Sequence, residues 1–380
     1  MLNNRKIKLS EILEKKENKG DLKNKLTILF KPENIFYLTN FWGEGITIIF
    51  EDGKNNSQTK LLVPKLEYTR AINTSKECDV ISSDRGIAII NELMSLIKED
   101  NIIFSDTNDY DIINKIQSKA GSKNLIIDNN LLYEIRQIKD PNEIDNIKNA
   151  SKIIDKLFQI ATNEIKKNIS EEQIQSILVY EAMKLGARFP AYAYTSNPLI
   201  VASGNNASFP HAETSNKKIA SGELIVIDIT LCYNHYVSDA TRTFALGNIP
   251  QEMKEIYEVV KLSQKKGIEY IKKTSNFSDI DAVCRNAIID KKLGDYFTHS
   301  TGHGIGLEVH EPPWIRSNFN SKIKENMTVT IEPGIYIKNK FGVRIEDSLL
   351  ITKKKKDIDN NLLGFDYQNF HSFSKELLVL

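Results

Sequence analysis

The 380-residue chain has no excess of either charge: 51 Lys and Arg face 50 Asp and Glu, a net charge of +1. A protein that lives on a phosphate backbone carries a marked basic surplus, so nucleic acid is not expected as a partner. Cysteine is scarce. Cys78, Cys232 and Cys284 are odd in number, far apart and without C-x-x-C spacing. This excludes a disulfide scaffold and a cysteine-based zinc site, and it fits a reducing compartment. No apolar run approaches the roughly 18–20 residues that cross a bilayer, so no membrane partner is expected. The first 25 residues alternate charges with single apolar residues and contain neither an apolar leader core nor a small-residue cleavage site. The expectation is a soluble, cytoplasmic protein.

What is present is ample core material, 41% hydrophobic and 8% aromatic residues, in a length that suggests two domains. Short β-rich runs (Leu26–Phe30, Ile46–Phe50, Lys60–Val63) alternate with turns, notably Glu51–Ser57, and with helical patterns such as Ile87–Ile97. An α/β unit over 1–137 follows. At Asp140-Pro-Asn-Glu143 an N-cap Asp, a Pro at the first helical position and a Glu three residues after the cap predict a helix to about Ile165. Ser170-Glu-Glu-Gln173 repeats the capping signal for a helix ending near Gly186. The stretch Glu164–Ser170 resembles Tyr270–Ser278, each preceded by a long helix and followed by β-rich sequence. Two related helix-helix-strand halves within 138–380 are expected. The run Lys353–Lys356, followed at once by Asp357 and Asp359, reads as a solvated turn.

Glu223–Leu231 and Tyr236–Phe244 read as paired strands. A turn centred on Tyr233 and Asn234 would set Asp228 opposite Asp239. A second turn centred on Asn339 would set Glu332 opposite Glu346. Like charges facing across strands repel, and buried carboxylates left ionised and unpaired cost on the order of several kcal/mol each. Arg242 or Arg344 can neutralise one carboxylate apiece; four need more, and divalent cations answer that need. Between the strand pairs lies His299-Ser-Thr-Gly-His-Gly-Ile-Gly-Leu-Glu-Val-His310, which holds three of the six histidines among glycines that permit close backbone approach. A fourth, His211, sits in a loop-like segment before the Asp228 strand. Carboxylates with a histidine suit two ions that acidify a bridging water and polarise a carbonyl. The other histidines would serve the oxyanion or the leaving amine. The residues read as a two-metal hydrolase.

On these residues the chain resembles the metallopeptidases that include methionine aminopeptidase, Xaa-Pro aminopeptidase and prolidase, the "pita-bread" family. The matching stretches are Pro210-His211, Asp228–Thr243, Gly302–Pro313, Thr330–Tyr336 and Val343–Asp347. Pro32–Phe41 is similar to a segment of the creatinase-like amino-terminal domain of the Xaa-Pro branch. The resemblance implies an α/β (α+β) protein: a creatinase-like α/β domain, 1–137, and a pseudo-twofold pita-bread catalytic domain, 138–380. It implies that Asp228, Asp239, His303, Glu332 and Glu346 hold two divalent ions, manganese foremost, with cobalt, zinc or iron as alternatives. Asp239 and Glu346 would bridge both ions, and Glu332 would also handle the proton of the attacking water. His211 and His310 are the implied catalytic histidines, with His299 supporting the substrate and Arg344 acting electrostatically.

Thr230 and His235 stand where the family usually has glycine. Cys232 reads as a small core or turn residue. The implied activity is hydrolysis of an Xaa-Pro bond at a peptide amino terminus by a metal-bridging hydroxide, in a homodimer acting on proline-containing peptides or dipeptides. The alternatives are a metal-dependent amidohydrolase of a small non-peptide amide and a non-catalytic peptide-binding relative.

Overall fold

Alternating β-branched segments and amphipathic helices give the first unit, Met1–Arg136, one six-stranded mixed sheet. The chain is described here from a computed structural model covering residues 2–16, 24–51, 57–190, 195, 197–353 and 364–380. The unit runs α1 (Leu2–Lys16), β1 (Lys25–Leu29), α2 (Pro32–Thr39), β2 (Ile46–Glu51), β3 (Ser57–Pro64), α3 (Tyr68–Thr74), β4 (Asp79–Ser83), α4 (Ile87–Leu96), β5 (Ile102–Ser105), α5 (Tyr110–Ala120), β6 (Leu125–Ile127) and α6 (Tyr133–Arg136). Strand order is β4-β3-β2-β1-β5-β6. Leu26, Ile28, Ile48 and Leu62 form a core with Leu93 of α4 and Ile116 of α5. The amino-terminal stretch forms α1 and buries Leu2, Leu9, Ile12 and Leu13. The segment Pro32–Phe41 forms α2, with Pro at its first turn and Asn40 in the left-handed conformation at its end.

The second unit, Gln137–Leu380, opens with α7 (Pro141–Glu164) and α8 (Glu171–Lys184). Both start on reciprocal caps: Asp140 accepts from the Asn142 and Glu143 amides while Glu143 accepts from the Asp140 amide, and Ser170 and Gln173 repeat the exchange. Next come β7 (Ile200–Ser203), β8 (Glu223–Tyr233), β9 (Tyr236–Leu246), α9 (Gln251–Tyr270), α10 (Phe277–Ile289), β10 (Gly302–Gly304), β11 (Glu311–Ile315), β12 (Thr328–Ile331), β13 (Gly334–Ile337), β14 (Phe341–Arg344), β15 (Asp347–Thr352) and β16 (Asp366–Asn369). The unit has two halves. In the first, α7 and α8 pack on the sheet β7-β8-β9 through Ile154, Leu157, Phe158, Ile225 and Phe244. In the second, α9 and α10 pack Val260, Phe277, Ile280 and Cys284 against Val329 and Ile331, beside the sheet β11-β10-β12-β15-β16. Each half carries one isolated antiparallel bridge just before its second helix, Ser170↔Lys218 and Asn276↔Lys322. The segment similarity in the sequence therefore marks equivalent places in two like halves.

One strand register differs from expectation. The β8–β9 hairpin turns on Asn234 and His235, both with positive φ (46° and 72°), so Thr230 pairs with Asp239 and Asp228 pairs with Thr241. The two acids are not directly opposite. The ladder slips by two residues from the expected pairing, and because side chains alternate with period two, both acids stay on one face. Repulsion explains the choice, since a hydroxyl rather than a second carboxylate lies opposite each acid. Glu332 and Glu346 do share the expected register, being flanked by the pairs Ile331↔Asp347 and Gly334↔Arg344. The tip of the 51–57 turn and the lysine run beyond Lys353 lie outside the described residues.

Candidate metal centre

The acidic strands and the glycine-flanked histidine meet at one cavity of about 510 Å³ in the second unit. Its walls include all nine residues singled out in the sequence: His211, Asp228, Asp239, His299, His303, His310, Glu332, Arg344 and Glu346. Asp239, His303 and Glu346 are buried and each offers a ligand atom within 4.8 Å of the others. Glu332 joins them, its Oε1 lying 3.3 Å from His303 Nε2. Asp228 shares the cavity but puts one oxygen on Arg344 Nη2 at 2.6 Å.

Close backbone approach positions His303. Strand β10 runs between β11 and β12, and a Cβ on Gly302 would come within 2.1 Å of the Thr330 carbonyl oxygen; one on Gly304 would meet the Pro312 carbonyl oxygen at 2.4 Å. Only glycine fits on either side of the histidine. The His303 ring donates from Nδ1 to the Gly304 carbonyl at 3.0 Å, which leaves Nε2 as a bare acceptor. That acceptor faces Glu332 Oε1 at 3.3 Å and Asp239 Oδ2 at 3.9 Å. Burial, aided by neighbouring His310, pushes the imidazole down to about 3, so it is neutral at ordinary pH. A lone pair aimed at carboxylate oxygens needs a cation between them.

The carboxylates lead to the same conclusion. Burial, with Asp228 and Glu332 nearby, holds Asp239 well above the usual carboxylate range. Burial and the charges of Asp239, Glu332 and Asp228 do the same to Glu346. Burial, augmented by Asp228 and opposed by Arg344, brings Glu332 to about 7. Two buried oxygens, Asp228 Oδ1 and Glu346 Oε1, have no hydrogen-bond partner. Orphaned acceptors beside a neutral imidazole nitrogen form an oxygen-rich donor set suited to hard or borderline divalent ions. The residues fit metal.

Of the two candidate arginines, only Arg344 serves the cavity. It donates to Asp228, to Thr241 Oγ1 (3.0 Å), to the Pro210 carbonyl (3.1 Å) and to Tyr336 Oη (2.6 Å). Arg242 turns away, pairing with the buried Asp347 at 2.7 Å and donating to the Glu346 carbonyl at 2.6 Å. Tyr336 was not foreseen. Its hydroxyl links Arg344 to His299 Nε2 at 3.0 Å, and His299 in turn donates from Nδ1 to the Ser300 carbonyl. Burial and Arg344 push His299 down to about 3, so the ring accepts from Tyr336 as a neutral base. His310 packs edge-on against His303, ring centroids 4.3 Å apart, and burial also lowers it. Sequence reading passed over Thr241 and Thr330 and gave Thr230 no role beyond standing in for a usual glycine; each is within reach of an acid, and their hydroxyls alternate with the acids along the same strands, which was the available signal.

The remaining wall is largely apolar: Pro190, Pro198, Leu199, Ile200, Val309 and Trp314. A buried, metal-ready acidic cluster opening on such a wall defines a metal-dependent enzyme acting on a small or terminal part of its substrate. Residues 145–353 match metallopeptidase family M24, and residues 11–138 match the creatinase/prolidase N-terminal domain. The Xaa-Pro dipeptidase of Pyrococcus furiosus is 36% identical over 324 residues, 85% of this chain and 89% of that protein. The prolidase structure from Pyrococcus horikoshii superposes with a TM-score of 0.85 at 31% identity, covering 99% of this chain and 100% of that one. The X-Pro aminopeptidase of Thermotoga maritima gives a TM-score of 0.78 at 28% identity over 94% and 98% of the two chains. The chain belongs to metallopeptidase family M24, in its Xaa-Pro branch, and is a metallo-exopeptidase. Among the described residues no helix is long and apolar enough to cross a membrane.

Proposed function

We propose that the chain is an exopeptidase that hydrolyses the bond between a first residue and a following proline, as an Xaa-Pro aminopeptidase or Xaa-Pro dipeptidase. The carrying observation is the set of carboxylate oxygens and one bare imidazole nitrogen turned on a single cavity. Asp228, Asp239, His303, Glu332 and Glu346 would hold two divalent ions, with manganese the first choice. When bound, the ions polarise the scissile carbonyl and acidify an attacking water. Glu332, on the same cavity, would take the proton of that water. His211 and His310 stand on the same cavity to donate to the developing oxyanion and to the leaving nitrogen. His299 is held by Tyr336 toward the substrate side, and Arg344 fixes Asp228.

Proline suits this wall. Its nitrogen carries no hydrogen once acylated, so recognition falls to shape and apolar contact rather than to an amide donor. Pro198, Leu199, Ile200 and Trp314 supply such contact. The names of the Pyrococcus and Thermotoga relatives support the same substrate class. We further propose 1–137 and 138–380 as the two domains, a homodimer as the working form, and the cytoplasm as its location; the three free thiols favour that compartment. Purified protein with added manganese is expected to cleave Xaa-Pro dipeptides or Xaa-Pro-Yaa peptides and to lose this activity in Asp239→Asn. Absence of turnover on both substrate classes would overturn the assignment.

A further inference from the structure

Every acid at the centre accepts from a protein donor, and in Asp228, Asp239 and Glu346 that donor occupies an oxygen other than the one left orphaned or facing His303. Thr230 Oγ1 donates to Asp239 Oδ1 at 2.8 Å, Thr241 Oγ1 to Glu346 Oε2 at 2.7 Å, and Thr330 Oγ1 to Glu332 Oε1 at 3.3 Å. Arg344 takes Asp228 Oδ2. The opposite oxygens of Asp228 and Glu346 are buried without a partner, and Asp239 Oδ2 is the one nearer His303. A carboxylate free to rotate about its terminal torsion would offer either oxygen. One donor per acid removes that freedom.

We infer that Thr230 is a positioning residue for the metal centre: its hydroxyl fixes Asp239 so that Oδ2 faces the cation. The inference rests on the proposed metal centre and adds a residue to it. Thr230 is the informative member of the three. Thr241 also accepts from Arg344, and Thr330 also accepts from the His303 amide, so removing either hydroxyl disturbs more than one group. The Thr230 hydroxyl is directed at Asp239, its cross-strand partner in the β8–β9 ladder. Holding a ligand in its binding orientation before the ion arrives removes an ordering cost from binding, and loss of such a contact typically weakens metal affinity ~10–100-fold.

The test is calorimetric titration of chelator-stripped full-length protein with manganese, comparing wild type, Thr230→Val and Thr230→Ser. Valine keeps the shape and strand preference of threonine but cannot donate; serine restores the donor. Binding about 10-fold weaker in Thr230→Val, recovered in Thr230→Ser, with the urea midpoint of the metal-free protein unchanged in both, is the expected result. Equal affinity for wild type and Thr230→Val would overturn the inference and leave the metal centre standing. So would a Thr230→Ser variant as weak as Thr230→Val, since the methyl group and not the hydroxyl would then matter. A wild type that takes up no manganese would overturn the centre and the inference together.

Discussion

Glu332 gives a stability signature with an unusual sign. In the metal-free protein its carboxyl is raised from the usual 4.5 to about 7 by burial and the Asp228 charge. Below the lower value both folded and unfolded chains carry the proton, and folding is unaffected. Between the two values the unfolded chain has released the proton while the folded chain retains it. Stability therefore falls as pH rises through this window, and the full loss is reached above about 7. At about 1.4 kcal/mol per pH unit the rise amounts to about 3 kcal/mol. Glu332 also raises Asp239 and Glu346 by charge repulsion, so removing its charge eases both.

Glu332→Gln should flatten this dependence. The assay is urea unfolding of EDTA-treated protein between pH 5 and pH 8, in a Trp42→Phe background so that Trp314 on the cavity wall reports the second unit. The metal-free parent should lose about 3 kcal/mol more than Glu332→Gln across the range. With manganese present the trend should reverse, because the ions displace the protons and bind best at high pH. Parallel pH profiles for the metal-free parent and Glu332→Gln would refute the reasoning, as would a metal-free parent that gains stability toward pH 8.

Beneath the centre, Arg242→Met should cost about 3–5 kcal/mol in urea unfolding, because Asp347 is left as a buried charge with less compensation. The double variant Arg242→Met, Asp347→Leu should recover part of that loss. At the start of α7, Asp140→Ala should cost about 1 kcal/mol by removing the acceptor for two amide groups, while the peptidase activity of the folded protein stays unchanged.

Local chemistry was legible wherever it depends on neighbours in sequence. The caps at Asp140 and Ser170 act over three residues, and both helices begin where those residues stand. The glycines around His303 announced close packing, and Gly302 and Gly304 prove to have no room for a side chain. The register of β8 and β9 was not legible to better than two residues. It depends on which pair enters the left-handed region at the turn, and Asn234-His235 lacks the glycine that would have marked it.

The choice of partner for each polar group was a matter for the fold. Arg242 and Arg344 both sit on buried strands, yet one pairs with Asp347 and the other with Asp228. Tyr336, Thr230 and Thr241 gained their contacts only when β8, β9, β13 and β14 came together. The inventory of acids and histidines, the helix starts and the division into two like halves were readable along the chain, because composition, capping and period are local properties. Tertiary structure alone decided which oxygens are held and which are left bare. That depends on distances of a few ångströms between residues as far as 116 positions apart in the chain, and no local pattern encodes them.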